Sequence, residues 1–248
     1  MENDFIFGIW PVVEALRGGK EFNAILIQTG LSAPQLGEIR ELAAEFEVPL
    51  KHVPIQKLNR ITRKNHQGIV GLTSPVEYQK IENLVPIWFE DGLNPLIVIL
   101  DRITDVRNFG AIARSCECMG VNAIVIPKQD GVSVTADAVR TSSGSLNRIP
   151  VCREENLKLT VEFLKASGFE VVGCTEKASE TSMDQDFTVP TALIMGSEEK
   201  GIQNEIMRKC SSLVKIPMLG ETNSLNVSVA AGMMLYEITR QRILAENK

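Results

Sequence analysis

Histidine is nearly absent from this chain of 248 residues, which holds only two, His52 and His66. A metal centre built on imidazoles or a Ser-His-Asp triad therefore has almost nothing to draw on. Cysteine is scarce too: five residues, at 116, 118, 152, 174 and 210, none in the C-x-x-C spacing of zinc ribbons and redox motifs. They read as reduced, mostly buried thiols. Long apolar runs are also missing. Stretches such as LIVIL at 96–100 are strand-sized, well short of the ~20 residues a bilayer span requires. The N-terminal MENDFIFGIW carries acids where a signal peptide carries bases. These shortages point to a cytoplasmic chain with neither a metal nor a membrane partner.

What is present is ordinary in bulk, at 44% hydrophobic and 23% charged, and ample for a core. A net charge of -5 argues against nonspecific coating of nucleic acid. Locally the balance reverses. Between 48 and 76 lie Lys51, Lys57, Arg60, Arg63 and Lys64 with both histidines and no acid.

The rhythm of apolar runs divides the chain. Residues 1–76 alternate strand-like AILIQ and GIVGL with a helix-like stretch at 33–47, which predicts a small N-terminal α/β domain. Residues 77–93, with acids, Pro86 and Gly92, read as a linker holding at most a short helix. From 94 to 248 near-continuous Val/Ile/Leu strands alternate with helices, the pattern of an α/β parallel sheet covered on both faces. Ligands of such sheets bind beyond the carboxyl ends of the strands.

Three loops leave such ends. LIVILD runs into RITDVRNFGAIARS, where Asn108 and Arg114 are six apart; both approach one ligand only if Asn108 sits in the loop and turns back. TALIMG passes into SEEKGI, whose acids also suit a helix start. SLVKIP leads into ETNSLNVSVAAGMMLYE, where Thr222, Asn223, Ser224 and Asn226 crowd a helix entrance that one cap residue would satisfy.

In this order the three motifs resemble the SpoU (TrmH-type) branch of the SPOUT RNA ribose methyltransferases, over roughly 94–248. GIWPVVEAL and RKNHQGIVGL further resemble the RNA-binding domain of the subgroup that methylates a guanosine of large-subunit rRNA. The family's usual Pro and Ala are here Val106 and Cys116, neither at a polar catalytic position.

The resemblance implies a deep trefoil knot in the C-terminal domain, a rare exception to unknotted topology. It implies S-adenosylmethionine (AdoMet) bound by Thr175, Met195, Gly196, Ile216, Met218, Ser224, Leu225 and Asn226, without a Rossmann fingerprint. Catalysis would rest on Asn108, Arg114, Glu198 and Asn226, with Arg114 at the ribose hydroxyl and the others holding it and the ligand. Arg60, Arg63 and Lys64 would meet phosphates, while Asn65, His66 and Gln67 would read unpaired RNA or merely form a turn. The family also implies a homodimer packed through the knot and the small-residue helix at 227–235. A tRNA substrate, or a noncatalytic RNA-binding assembly factor, stands as the alternative.

Overall fold

The computed structural model describes residues 4–221 and 224–247. Thr222 and Asn223 of the crowded entrance thus lie outside the described residues. The chain divides into a smaller unit, up to Glu77 and including 133–136, and a larger one that starts at Tyr78.

In the smaller unit the order is β1 (Phe5–Phe7), α1 (Ile9–Arg17), β2 (Phe22–Gln28), α2 (Leu36–Glu45), β3 (Leu50–Val53), α3 (Ile55–Ile61) and β4 (Ile69–Thr73). The strands form a mixed sheet ordered β1-β4-β2-β3, parallel only between β2 and β3. Its central strand β2 is buried from Phe22 to Ile27, and Val12, Val13 and Leu16 of α1 with Ile39 and Ala43 of α2 cover one face. These helix residues fall at the three- and four-residue spacings that put side chains on one stripe.

The larger unit runs β5 (Tyr78–Gln79), α4 (Ile81–Glu90), β6 (Leu96–Asp101), α5 (Val106–Cys118), β7 (Ala123–Pro127), α6 (Ala136–Thr141), β8 (Val151–Glu154), α7 (Leu157–Ala166), β9 (Glu170–Cys174), β10 (Glu180–Thr181), β11 (Thr191–Gly196), α8 (Asn204–Met207), β12 (Ser212–Lys215) and α9 (Val227–Glu246). Its eight strands, ordered β10-β12-β9-β11-β6-β7-β8-β5, pair in parallel throughout. Every residue of β6 is buried, as expected for a strand covered on both faces. All strands point the same way, so the loops after β6, β9, β11 and β12 emerge at one edge.

Residues 77–93 depart from the expected linker. β5 pairs with β8, and Ile81 and Val85 of α4 are buried in the main core beside Ile97 and Cys152. The i,i+4 pair of β-branched residues anchors a segment whose proline and acids look loop-like.

The last helix is fastened at both ends. Asn226 caps it, its Oδ1 accepting from the backbone N–H groups of Ser228 and Val229. Near the other end Arg242 donates to four backbone carbonyls, those of Phe187 (3.1 Å), Asn94 (2.7 Å), Pro95 (3.4 Å) and Val189 (2.9 Å), at the segments entering β6 and β11. Burial lowers the Arg242 pKa, yet a guanidinium keeps its proton at neutral pH. No described helix is long and apolar enough to cross a membrane. Arg242→Ala strips these carbonyls of their donor and is expected to cost about 2–3 kcal/mol in urea unfolding. An unchanged midpoint would show the clamp to be idle.

Candidate active site

Three of the four residues expected to act in catalysis meet at the strand ends. Asp105 caps α5 by accepting from the N–H groups of Arg107 and Asn108, which sets Asn108 in the helix's first turn. Glu198 lies just past β11. Its Oε1 accepts from Asn108 Nδ2 (3.1 Å), Asn226 Nδ2 (2.6 Å) and Val227 N (3.1 Å). Asn226 Nδ2 also donates to Asn108 Oδ1 at 3.0 Å, closing the triangle. A carboxylate at the start of α9 meets the positive end of the helix dipole, so Glu198 acts as a second cap.

Arg114 stands apart. Asn108 is part of the helix rather than of a loop that turns back, and six helical residues separate the two by about 9 Å along the axis and about 120° around it. Arg114 is exposed and has no hydrogen-bond or ion-pair partner among the described residues. The expected bond from Glu198 or Asn226 to this arginine is therefore replaced by bonds among the three cluster residues themselves.

Beside the cluster opens a cavity of about 330 Å³, within the usual size range of small-molecule sites. Thr175, Met195, Gly196, Ile216, Met218, Ser224 and Leu225 line it, as expected; Asn226 does not, because its amide is committed to the cluster. Sequence reasoning missed Glu176, Glu199 and Lys200, although SEEKGI held two of them in plain view. Cys174 also lines the cavity. Burial pushes its thiol up to about 12, so it is a neutral wall and not a thiolate nucleophile.

Gly196 has a sharper role than leaving room for a ligand. A Cβ there would sit 2.2 Å from the Gly201 carbonyl carbon, within the tight turn that bridges Ser197 to Gly201. Gly110 likewise packs against Thr141, with a hypothetical Cβ 2.6 Å from that side chain.

A second cavity, about 650 Å³, adjoins the first and shares Ser197, Glu198, Glu199, Lys200 and Val227 with it. Asn108, Arg102, Asp105 and Asp130 complete its charged and polar wall. Below it the buried Asp101 carboxylate accepts from Gln203 N (2.6 Å) and Gln203 Nε2 (2.8 Å), pinning the end of β6 to the loop after β11. Sequence inspection had no signal for this lock, because Asp101 reads as a strand terminus and Gln203 as a loop polar residue.

In the smaller unit, Arg60, Arg63, Lys64 and Asn65 are exposed, as phosphate or base contacts must be. His66 and Gln67 are not free readers. His66 is buried, its Nδ1 accepting from Gly68 N (3.0 Å), which leaves Nε2 as the donor to Asn59 Oδ1 (2.9 Å). Gln67 Oε1 accepts from Ile9 N at 3.0 Å and thereby satisfies an otherwise orphan donor at the start of α1. Both side chains have a place in the fold: His66 lies buried in the turn, while Gln67, exposed, is tied to α1 through its carbonyl oxygen.

Gly196→Ala is expected to lower stability by more than about 2 kcal/mol, because backbone and not a flexible side chain meets the added methyl. A circular-dichroism melt matching the parent's would contradict that assignment. Leu225→Ala, at an exposed wall of the cavity, should melt normally and differ only in ligand binding.

Comparison with known proteins follows this geometry. The family model described as "SpoU rRNA Methylase family" matches residues 95–236, and the one described as "RNA 2'-O ribose methyltransferase substrate binding" matches 5–79. A Bacillus subtilis (strain 168) protein, YacO, assigned by name to the TrmH family of tRNA/rRNA methyltransferases, is 34% identical over 241 residues, covering 97% of each chain. Among solved structures, the SpoU methyltransferase AviRb of Streptomyces viridochromogenes in complex with AdoMet has a TM-score of 0.61 at 28% identity, over 97% of this chain and 90% of that one. An AdoMet-bound rRNA methyltransferase from Sinorhizobium meliloti has a TM-score of 0.61 at 26% identity, over 95% of this chain and 86% of that one. With both family models matched in the order their units fold, and with the Asn108–Glu198–Asn226 cluster set beside a cavity at the strand ends, the chain belongs to the SpoU (TrmH-type) family of RNA 2'-O-ribose methyltransferases.

Proposed function

We propose that the chain methylates the ribose 2'-hydroxyl of a guanosine in large-subunit rRNA. The observation that carries the reading is the position of the Glu198 cluster on the shared wall of two cavities, one for the methyl donor and one for the nucleoside. The match to a substrate-binding model over 5–79 supports an RNA substrate, and the likeness to an AdoMet-bound rRNA methyltransferase over 95% of this chain favours rRNA over tRNA.

The first cavity fits AdoMet. Met195, Ile216, Met218 and Leu225 offer apolar walls, Thr175 and Ser224 polar ends, and Glu176, Glu198 and Glu199 outnumber Lys177 and Lys200 around a ligand of net positive charge. When bound, AdoMet supplies a methyl group on an already activated sulfonium. The protein's task is then to align the oxygen with that methyl and to ease the loss of one proton.

In the second cavity Asp105, Asp130, Glu198 and Glu199 stand with Arg102 and Lys200, an environment that accepts hydrogen bonds from a nucleoside. Asn108 and Glu198 orient the ribose. Arg114, unpartnered among the described residues, donates to the hydroxyl oxygen as negative charge develops there. Because a guanidinium stays protonated, the hydroxyl proton passes to water or to an RNA phosphate.

Arg114 does not reach the cluster of its own chain, and a second copy completes the site in this reading. Val229, Met233 and Tyr236 of α9, with Met183, leave an apolar face exposed around a groove of about 480 Å³. Two such faces packed together form a homodimer. The larger unit is proposed to carry the family's trefoil knot.

Incubation with labelled AdoMet and separate rRNA and tRNA pools from a strain lacking the protein is expected to label large-subunit rRNA at one ribose. Label confined to tRNA would overturn the substrate assignment, and label in neither pool would favour an assembly factor. Arg114→Ala should lose at least about 100-fold in turnover while AdoMet affinity by calorimetry holds. Arg60, Arg63 and Lys64 changed together to Glu should weaken RNA binding and flatten its salt dependence; unaltered affinity across salt would remove this surface. Met233→Glu should shift sedimentation toward the single-chain mass of 27.3 kDa.

A further inference from the structure

The smaller unit carries an aromatic side chain that its own fold does not use. Trp10 lies in the first turn of α1, yet the buried face of that helix is formed by Val12, Val13 and Leu16. The indole is 53% exposed and meets no aromatic or hydrogen-bond partner among the described residues. Burying a tryptophan releases more apolar surface than burying almost any other side chain, so an indole left in water on a well-packed helix forgoes stability. A solvent-facing ring at a fixed helix start is an arrangement a stacking ligand can use.

Trp10 is also held in place. The N–H of the preceding residue, Ile9, donates to Gln67 Oε1, and Gly8 N donates to Ile69 O at 3.1 Å. Both bonds tie the start of α1 to the segment that follows the exposed bases Arg63 and Lys64. The Lys64 ammonium stands 5.8 Å from the ring of Phe7, on the strand leading into the same turn. Neither Arg63 nor Lys64 forms an ion pair among the described residues. The ring and the unneutralised cations are thus presented from two segments that the fold locks together.

We infer that Trp10 is a base-stacking platform for single-stranded RNA, with Arg63 and Lys64 meeting the adjoining phosphates. The inference rests on the RNA-modifying reading above and adds the form of RNA that the smaller unit grips. An exposed indole on a segment tied to the one that carries these cations suits an unpaired nucleotide, whose π-face is open and whose backbone is anionic. Fully paired A-form RNA buries its base faces and offers the ring nothing to stack on. Gln67, one of the residues expected to read unpaired RNA, also anchors the start of α1 that carries the ring.

The test uses the full chain, a short fluorescein-labelled single-stranded RNA of mixed sequence, and the blunt-ended duplex it forms with its complement. Trp10→Ala is expected to weaken single-strand binding by about 10-fold, and Trp10→Phe to retain most of the affinity. The salt dependence of binding should be the same in parent and Trp10→Ala, because no phosphate contact is removed, and duplex affinity should not change. In a Trp88→Phe background, the emission of Trp10 should be quenched by the single strand and not by the duplex.

Equal single-strand affinity in parent and Trp10→Ala, or equal losses for strand and duplex, would overturn the inference. So would a changed sedimentation coefficient for Trp10→Ala, which would assign the indole to a protein contact. A parent that methylates rRNA while Trp10→Ala binds as tightly sinks this inference alone. A parent that neither binds nor methylates any RNA removes the enzymatic reading and this one together.

Discussion

A single carboxylate oxygen organises the reactive end of the larger unit. Glu198 Oε1 accepts three N–H donors, from the first turn of α5 and from the cap and first residue of α9. Those donors belong to segments far apart in sequence, and the oxygen gives all of them one geometric reference. A carboxylate suits this duty better than an amide would, since it accepts without having to donate and is favoured by the positive end of α9. Its second oxygen remains available to a ligand in either cavity.

Beneath that oxygen the sheet supplies rigidity. Asp101 closes β6 onto Gln203, and Gly196 presses β11 against the backbone of Gly201, so the Glu198 loop is tethered at both sides of its turn. Burial keeps neighbouring Cys174 in its neutral thiol form, which leaves the cavity wall chemically quiet. The site therefore combines a fixed polar rim with an inert apolar lining. Alignment of reactants, more than proton-transfer power, is what such a site provides.

Much of this was legible in the sequence because the chemistry sits where a parallel sheet must place it. Asn108, Glu198 and Asn226 each follow a strand-like apolar run, and the fold brings them within hydrogen-bonding distance. The departures share a cause, which is that a residue's type does not report its direction. His66 and Gln67 are polar members of a basic tract, yet one turns inward and the other reaches back to Ile9. Residues 77–93 look like a linker by composition, while Ile81 and Val85 point into the core. Arg114 lies on the expected helix, but its distance from Asn108 follows from helical geometry that begins earlier than the motif suggested.

The double fastening of α9 fixes a length. From the Asn226 cap to Arg242 the helix advances about 24 Å, and the six residues of β6 span about 20 Å, so the helix runs from one edge of the sheet to the other with little slack. A residue inserted between these anchors would move one end by about 1.5 Å and turn it by about 100°, out of register with either the Glu198 loop or the four carbonyls. Point substitutions on the outer face leave this spacing untouched. The span 226–242 is therefore a ruler that tolerates repainting but not recutting.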